Sequence, residues 1–367
     1  MISRSPLFLF LVVASAAVSG CGGGNLPGAQ PIHVVFGDDG GGELDGGPLG
    51  GDASESIQPV EDAGADAPRE GEAGAAPASL VMFGGMDAEG NLQSQTWIYD
   101  GGSWSSLNVR GPSARIEHAM ATLSTEAGGE VVLFGGTDGL QTTFGDTWLF
   151  DGAGWKQGPS SGPSPRSSHA MASLGKQVVL FGGSDADNTP LSDTWLFDGK
   201  SWKKSSADGP PARYWHAMTT SGSNVVLFGG TGESGDLGDT WLFDGTNWSQ
   251  VLPGKNPSAR STPSMASIHG TAYLFGGYSG LNGDFLQFGD TWRFDGVGWA
   301  QVVGAGPSPR SASMAAQNGG LVLFGGATGE GDSLADLQDT WRFDGSHWTN
   351  EPTSGPPAAD SQAMATQ

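Results

Sequence analysis

A chain of 367 residues with a formal charge of −23, 63 glycines, 22 prolines and 13 tryptophans has no basic footprint with which to hold nucleic acid. That many tryptophans exclude a wholly disordered chain, because large aromatic rings need a core, and excess glycine with excess tryptophan suits short strands joined by tight turns. A single cysteine excludes a disulfide framework within the chain.

Residues 1–20 read as a secretory signal. Arg4 and the amino terminus supply positive charge, and Leu7 to Val18 is an apolar run too short for a comfortable membrane span. The run ends in Val18-Ser19-Gly20-Cys21, which resembles the lipobox of bacterial lipoproteins. The resemblance implies acylation at Cys21, cleavage just before it and stable anchoring in the cell envelope; Gly22 implies the outer membrane. An ordinary signal followed by a chance cysteine is the alternative.

Residues 21–77 read as the lipidated Cys21 followed by a tether. Its acids, among them Asp38, Asp45, Asp62, Asp66 and Glu72, face the single base Arg69, and the rest is mostly glycine, alanine and proline. Such a stretch is too polar to fold alone. As a flexible coil it reaches roughly 40 Å, and further through self-repulsion.

From residue 78 onward the chain repeats. Phe-Gly-Gly begins at Phe83, Phe134, Phe181, Phe228, Phe275 and Phe324, at spacings of 51, 47, 47, 47 and 49 residues. A period of this length marks a repeat architecture. Within the block from Arg115, residues up to Leu123 form strand a, and Glu130 to Phe134, a β-branched apolar run, forms strand b. Gly135-Gly136 ends strand b and residues 137–145 form a loop. Asp146 to Phe150 is strand c, Asp151-Gly152 is a hairpin turn, Trp155 opens strand d, and Gly162-Pro163-Ser164-Pro165-Arg166 links to the next block. Four antiparallel strands per block make a propeller blade.

The double glycine, the paired tryptophans and the opening Arg115-Ile116-Glu117-His118 resemble kelch repeats, over about residues 78–367. The resemblance implies an all-β, six-bladed propeller. The first block starts at strand b, while Ala359 to Gln367 aligns with strand a, so the last strand is expected to complete the first blade and close the ring.

Twelve tryptophans are periodic, in strand c (Trp97, Trp148, Trp195, Trp241, Trp292, Trp341) and strand d (Trp104, Trp155, Trp202, Trp248, Trp299, Trp348). Burial of about 200 Å² each, worth roughly 5 kcal/mol gross, explains them as core. Arg115, Arg166, Arg213, Arg260 and Arg310 recur at the start of strand a, and Asp146, Asp193, Asp239, Asp290 and Asp339 at the start of strand c. In the closing blade both charges vanish together, at Ala359 and Gln95. Structural ion pairs account for that pattern; a basic ring for an anionic ligand is the rival. His118, His169 and His216 recur on three blades at a position facing the neighbouring blade. A core role is expected there, and no metal or other cofactor is assigned.

Function is sought where the repeat breaks. The loops between strands b and c carry acids (Asp138, Asp185, Asp187, Glu233, Asp236, Asp284, Glu330, Asp332, Asp336) and the unpatterned aromatics Phe144, Tyr278, Phe285 and Phe288. Tyr214-Trp215-His216 adds the one tryptophan outside the periodic sets; its equivalents are Glu117, Ser168, Thr262, Ala312 and Ser361. These aromatics are expected to bind a glycan or a protein, with loop acids as acceptors. An aromatic plug at the channel mouth is the plainer alternative. Copper-radical oxidases of similar fold need a tyrosine cross-linked to cysteine, which the lone Cys21 excludes. An activity like that of the six-bladed sialic acid epimerases stays open, although no unpatterned acid/base pair assigns one. A monomeric, membrane-anchored binding scaffold with no nucleic-acid partner is therefore expected, and a sugar-active envelope enzyme is the alternative.

Overall fold

A computed structural model describes residues 78–126, 128–252, 254–280, 285–329 and 335–367. The expected signal, Cys21 and the tether lie outside the described residues, as do Asp284, Glu330 and Asp332 of the loops. The described chain is all-β, arranged as six four-stranded antiparallel blades of a propeller. Blade 2 shows the common order: strand a Ala119–Thr125, strand b Gly128–Phe134, strand c Thr147–Phe150 and strand d Trp155–Gln157. Blade 1 takes strand a from the carboxyl end of the chain. Ala363–Thr366 pairs with Leu80–Phe83, with Met82 opposite Met364, so the two ends of the repeat share one blade and close the ring.

Strand a begins later than the sequence suggests. In Arg115 to His118 only the single bridge of Ile116 to Thr137 forms, because Glu117 takes a left-handed backbone (φ 57°) that breaks the extended run before strand a. Blade 6 departs from its neighbours. Its strands b and c run on as Gly320–Thr328 and Ala335–Phe343, with register shifts between Phe324 and Gly326 and between Ser311 and Ser313. Such a bulge bends the strand and re-aims its side chains.

The core lies between blades. Strand b is apolar on both faces and wholly buried at its centre, as at Val131, Val132, Leu133 and Phe134. Strand d tryptophans bridge to the preceding blade. The Trp202 ring meets Phe134 edge-on at 5.3 Å, and its indole N–H donates to the Thr147 hydroxyl at 2.9 Å. The same bond joins Trp155 to Thr96, Trp248 to Thr194, Trp299 to Thr240 and Trp348 to Thr291. Trp104 makes it to Thr340 across the closure. Each tryptophan thus combines apolar burial with a satisfied polar tip, as a buried indole requires.

The double glycine has a steric cause. Gly135 (φ 66°) lies where a Cβ would sit 2.5 Å from the Arg166 carbonyl oxygen and 2.9 Å from the His169 ring of the next blade. At Gly136 (φ 97°) a Cβ would fall 2.7 Å from the Ile116 carbonyl oxygen of its own blade. Only glycine lets strand b end this close to two blades at once.

Strand a faces the central channel. Hydroxyls there reach the preceding blade: Ser173 donates to the Thr122 carbonyl and Thr220 to the Ser173 carbonyl, both at 2.6 Å. Thr122 donates to the Thr366 carbonyl, and Thr366 to the Ala316 carbonyl.

Candidate binding face at the channel mouth

The loops between strands b and c and the links from strand d to strand a share one face of the disc. There the five arginines are buried and paired. Arg166 is fully buried; its Nη1 donates to Asp193 Oδ1 at 2.7 Å and to the Gly182 carbonyl at 3.0 Å, its Nη2 to Asp193 Oδ2 at 3.2 Å, and its Nε to the Ser164 carbonyl at 3.1 Å. Arg115 with Asp146, Arg213 with Asp239 and Arg260 with Asp290 repeat the fork, and Arg310 bonds Asp339. The strand c tryptophan joins each pair, as where Trp195 Nε1 donates to Asp193 Oδ2 at 2.7 Å. Burial works to raise the Asp193 carboxyl, but the Arg166 and Trp195 bonds override it and hold the group at about 2. With their guanidinium groups covered, these arginines offer no basic ring to an anion.

The histidines are enclosed as well. His118, His169 and His216 stack edge-on against Phe83, Phe134 and Phe181 of the preceding blade at 5.5–5.7 Å. Burial, then the charges of Arg115 and Arg213, push His118 and His216 down to about 3. His169 is likewise held well below its ordinary value, by burial first. All three rings are neutral; the Phe83, Phe134 and Phe181 backbones each favour the charged form without overriding burial. Among the described residues, no group of three or more His, Cys, Asp or Glu is placed to hold a metal ion.

At the centre of the face is a cavity of about 240 Å³ at the channel mouth. Its rim is built from one residue per blade: Glu117, Ser168, Trp215, Thr262, Ala312 and Ser361. All but Ala312 are left-handed, with φ between 48° and 57°, a conformation that costs of order 1 kcal/mol or more for a residue with a Cβ. The strain is offset by a chain of backbone hydrogen bonds from blade to blade. The amide of Ser168 donates to the carbonyl of Glu117 at 2.8 Å, that of Trp215 to Ser168 at 2.9 Å, that of Thr262 to Trp215 at 2.7 Å, and that of Glu117 to Ser361 at 3.4 Å. The chain is interrupted at Ala312, where blade 6 carries its bulge.

Trp215 lines this mouth with its ring edge-on to Tyr214 at 4.8 Å. Glu117 lines it too, with its Oε2 held by the Ser168 hydroxyl at 2.8 Å. Tyr278 stacks on Phe285 at 5.4 Å in the adjoining loop of blade 5. The Gly280 amide there donates to Asp236 of blade 4 at 3.0 Å. Burial first, then the Asp236 and Glu117 charges, raise the Tyr214 phenol. Burial raises that of Tyr278 as well. Tyr214, Trp215, Tyr278 and Phe285 therefore gather on blades 4 and 5. His216 belongs to the enclosed set.

Phe144 and Phe288 stand apart from this group. The guanidinium of Arg115 lies 4.1 Å from the Phe144 centroid and that of Arg260 lies 3.8 Å from Phe288. These rings cover the buried arginines through cation–π contact. Several loop acids likewise serve their own loops. Asp138 Oδ1 accepts from the amides of Leu140, Gln141 and Thr142, and Asp185 Oδ1 from those of Asp187 and Thr189.

Sequence reasoning did not single out Glu117 or Ser168. Their signal was present all the same, in their alignment with Trp215 at one position of successive repeats. The KLHDC2/KLHL20/DRC7 Kelch-repeats domain family matches the chain over residues 56–204, 153–300 and 200–367, in overlapping steps along the repeat. No curated protein matches it.

Proposed function

Because the chain belongs to the KLHDC2/KLHL20/DRC7 Kelch-repeats domain family, whose propellers generally serve as protein-interaction scaffolds, we propose that it is a binding scaffold whose partner docks on the channel-mouth face. One observation carries the proposal: the repeat is broken at the mouth, where Trp215 takes a rim position that Ser168, Thr262 and Ser361 fill on other blades. The scaffold does not need an indole there, and an aromatic ring at the centre of a face is the usual anchor of an interface. On the same side of the disc Leu140 and Leu286 are exposed on b-to-c loops, and Leu252 and Val303 just beyond the outer strand d.

The proposal includes the membrane. Cys21 bears the acyl anchor, and the acidic tether of residues 22–77 holds the propeller off the outer membrane surface of the envelope. Labelled palmitate entering the wild-type protein but not Cys21→Ser supports the anchor; equal labelling refutes it.

The docking face is tested with soluble Cys21→Ser protein, with and without Trp215→Ala, against envelope protein extracts and a glycan array. Capture of one protein species by the first and not the second is the expected result. Glycan binding that survives Trp215→Ala, with no Trp215-dependent protein, refutes the proposal.

A further inference from the structure

The polar chemistry of the mouth is one-sided. Glu117 and Asp360 line the cavity, as do His118, His169 and His216. The histidines are each only 6 % exposed and stay neutral, so they bring no positive charge to the mouth. Among the described residues no lysine or arginine lines the cavity.

The wider face has the same sign. Acids stand on the loops of blades 1, 2, 3, 4 and 6, at Asp87, Asp138, Asp185, Asp236 and Asp336. Five arginines are neutralised by their aspartates. Among the described residues the exposed cations on this face include Arg110, Lys255, which lies over the Trp292 ring at 5.9 Å, and Lys204 at the end of strand d, which is paired to Asp193 at 3.6 Å. The whole chain carries −23, which attracts positively charged partners and repels negative ones over a Debye length or more.

We propose that the occupant of the mouth is a cationic side chain, a lysine ammonium or an arginine guanidinium, presented by a basic segment of a partner protein. Its charge sits between the Trp215 ring and the Glu117 carboxylate. An aromatic face and a carboxylate held in place by a neighbouring hydroxyl are the two groups that recognise a desolvated cation best. The Ser168 bond fixes one Glu117 oxygen, leaving the other lone pairs for the incoming donor. The proposal rests on the mouth being a binding site and adds the charge of what binds.

The test uses the soluble full chain and four peptides, acetyl-Gly-Leu-X-Leu-Gly-amide, with X lysine, arginine, norleucine or glutamate, titrated by calorimetry at low and physiological salt. Lysine and arginine peptides are expected to bind about tenfold or more tighter than norleucine, with glutamate weakest and the gap narrowing as salt rises. Glu117→Gln, which keeps an acceptor for Ser168, should close most of that gap at unchanged melting temperature. Trp215→Ala should weaken the lysine, arginine and norleucine peptides. Equal or tighter binding of norleucine or glutamate, still lost in Trp215→Ala, leaves the docking face standing and overturns the cationic occupant. A lysine preference that Glu117→Gln does not reduce overturns it as well. No Trp215-dependent binding of any peptide overturns both.

Discussion

Asp193→Asn is the sharpest perturbation of the scaffold, because its partner Arg166 is completely buried while Asp193 is 19 % exposed. The substitution keeps the shape of the side chain but removes the negative charge that Arg166 contacts. The guanidinium then retains the Ser164 and Gly182 carbonyls, which satisfy hydrogen bonds but not charge. Stranding a buried charge in this way costs about 3–5 kcal/mol. Arg166→Met leaves Asp193 with its exposed edge, the Trp195 indole at 2.7 Å and the Lys204 ammonium at 3.6 Å, so about 2 kcal/mol is expected. The double variant leaves neither charge, and its cost should fall short of the sum by about 2–3 kcal/mol. Guanidinium denaturation followed by tryptophan fluorescence, with calorimetry beside it, measures all three. At this chain length the single Asp193→Asn change should lower the melting temperature by on the order of 10 °C. Additivity within about 0.5 kcal/mol would refute the account of these residues as mutually dependent pairs.

Further outcomes test other joints of the fold. The histidines stay neutral when folded, with His118 and His216 held near 3, whereas in the unfolded chain they titrate near 6.5, so the unfolded state binds more protons below that pH. Stability is therefore complete above about pH 6.5 and falls as pH drops towards 3, by about 1.4 kcal/mol per pH unit for each histidine; denaturation midpoints between pH 7 and 5 should show this, with a shallower slope in His118→Gln. Gly136→Ala should cost more than about 3 kcal/mol because of the Ile116 carbonyl. Gly90→Ala, at φ 83° with open space around it, should cost only about 1 kcal/mol; equal melting temperatures for the two would remove the steric account of the double glycine. Thr147→Val should cost about 1 kcal/mol by orphaning the Trp202 indole N–H, and little or nothing further in a Trp202→Phe background.

The scaffold was legible because each of its parts is repeated. Six Phe-Gly-Gly triplets count the blades, and Ala359 to Gln367, aligning with strand a, shows how the ring closes, as the pairing of Met82 with Met364 displays. The joint loss of Arg and Asp at Ala359 and Gln95 pointed to the partners that the geometry brings within hydrogen-bond distance elsewhere. What lay beyond the sequence were contacts set by loop paths that do not repeat. Phe144 and Phe285 are alike as letters, yet one lies under Arg115 and the other against Tyr278. Glu117 was visible as an equivalent of Trp215, but its place on the rim follows from left-handed turns that residues with a Cβ rarely adopt. Asp138 was legible as a loop acid; its three amide donors depend on a local turn that composition does not specify.

The claim that binding occurs where the repeat is broken is tested most directly by the indole ¹⁵N–H resonances of the 13 tryptophans, with that of Trp215 assigned through Trp215→Phe. On titration with the lysine peptide, the Trp215 resonance should move progressively while the strand d tryptophans, bonded inside the blade interfaces, stay in place. Movement of the strand d set with Trp215 unmoved would contradict the account.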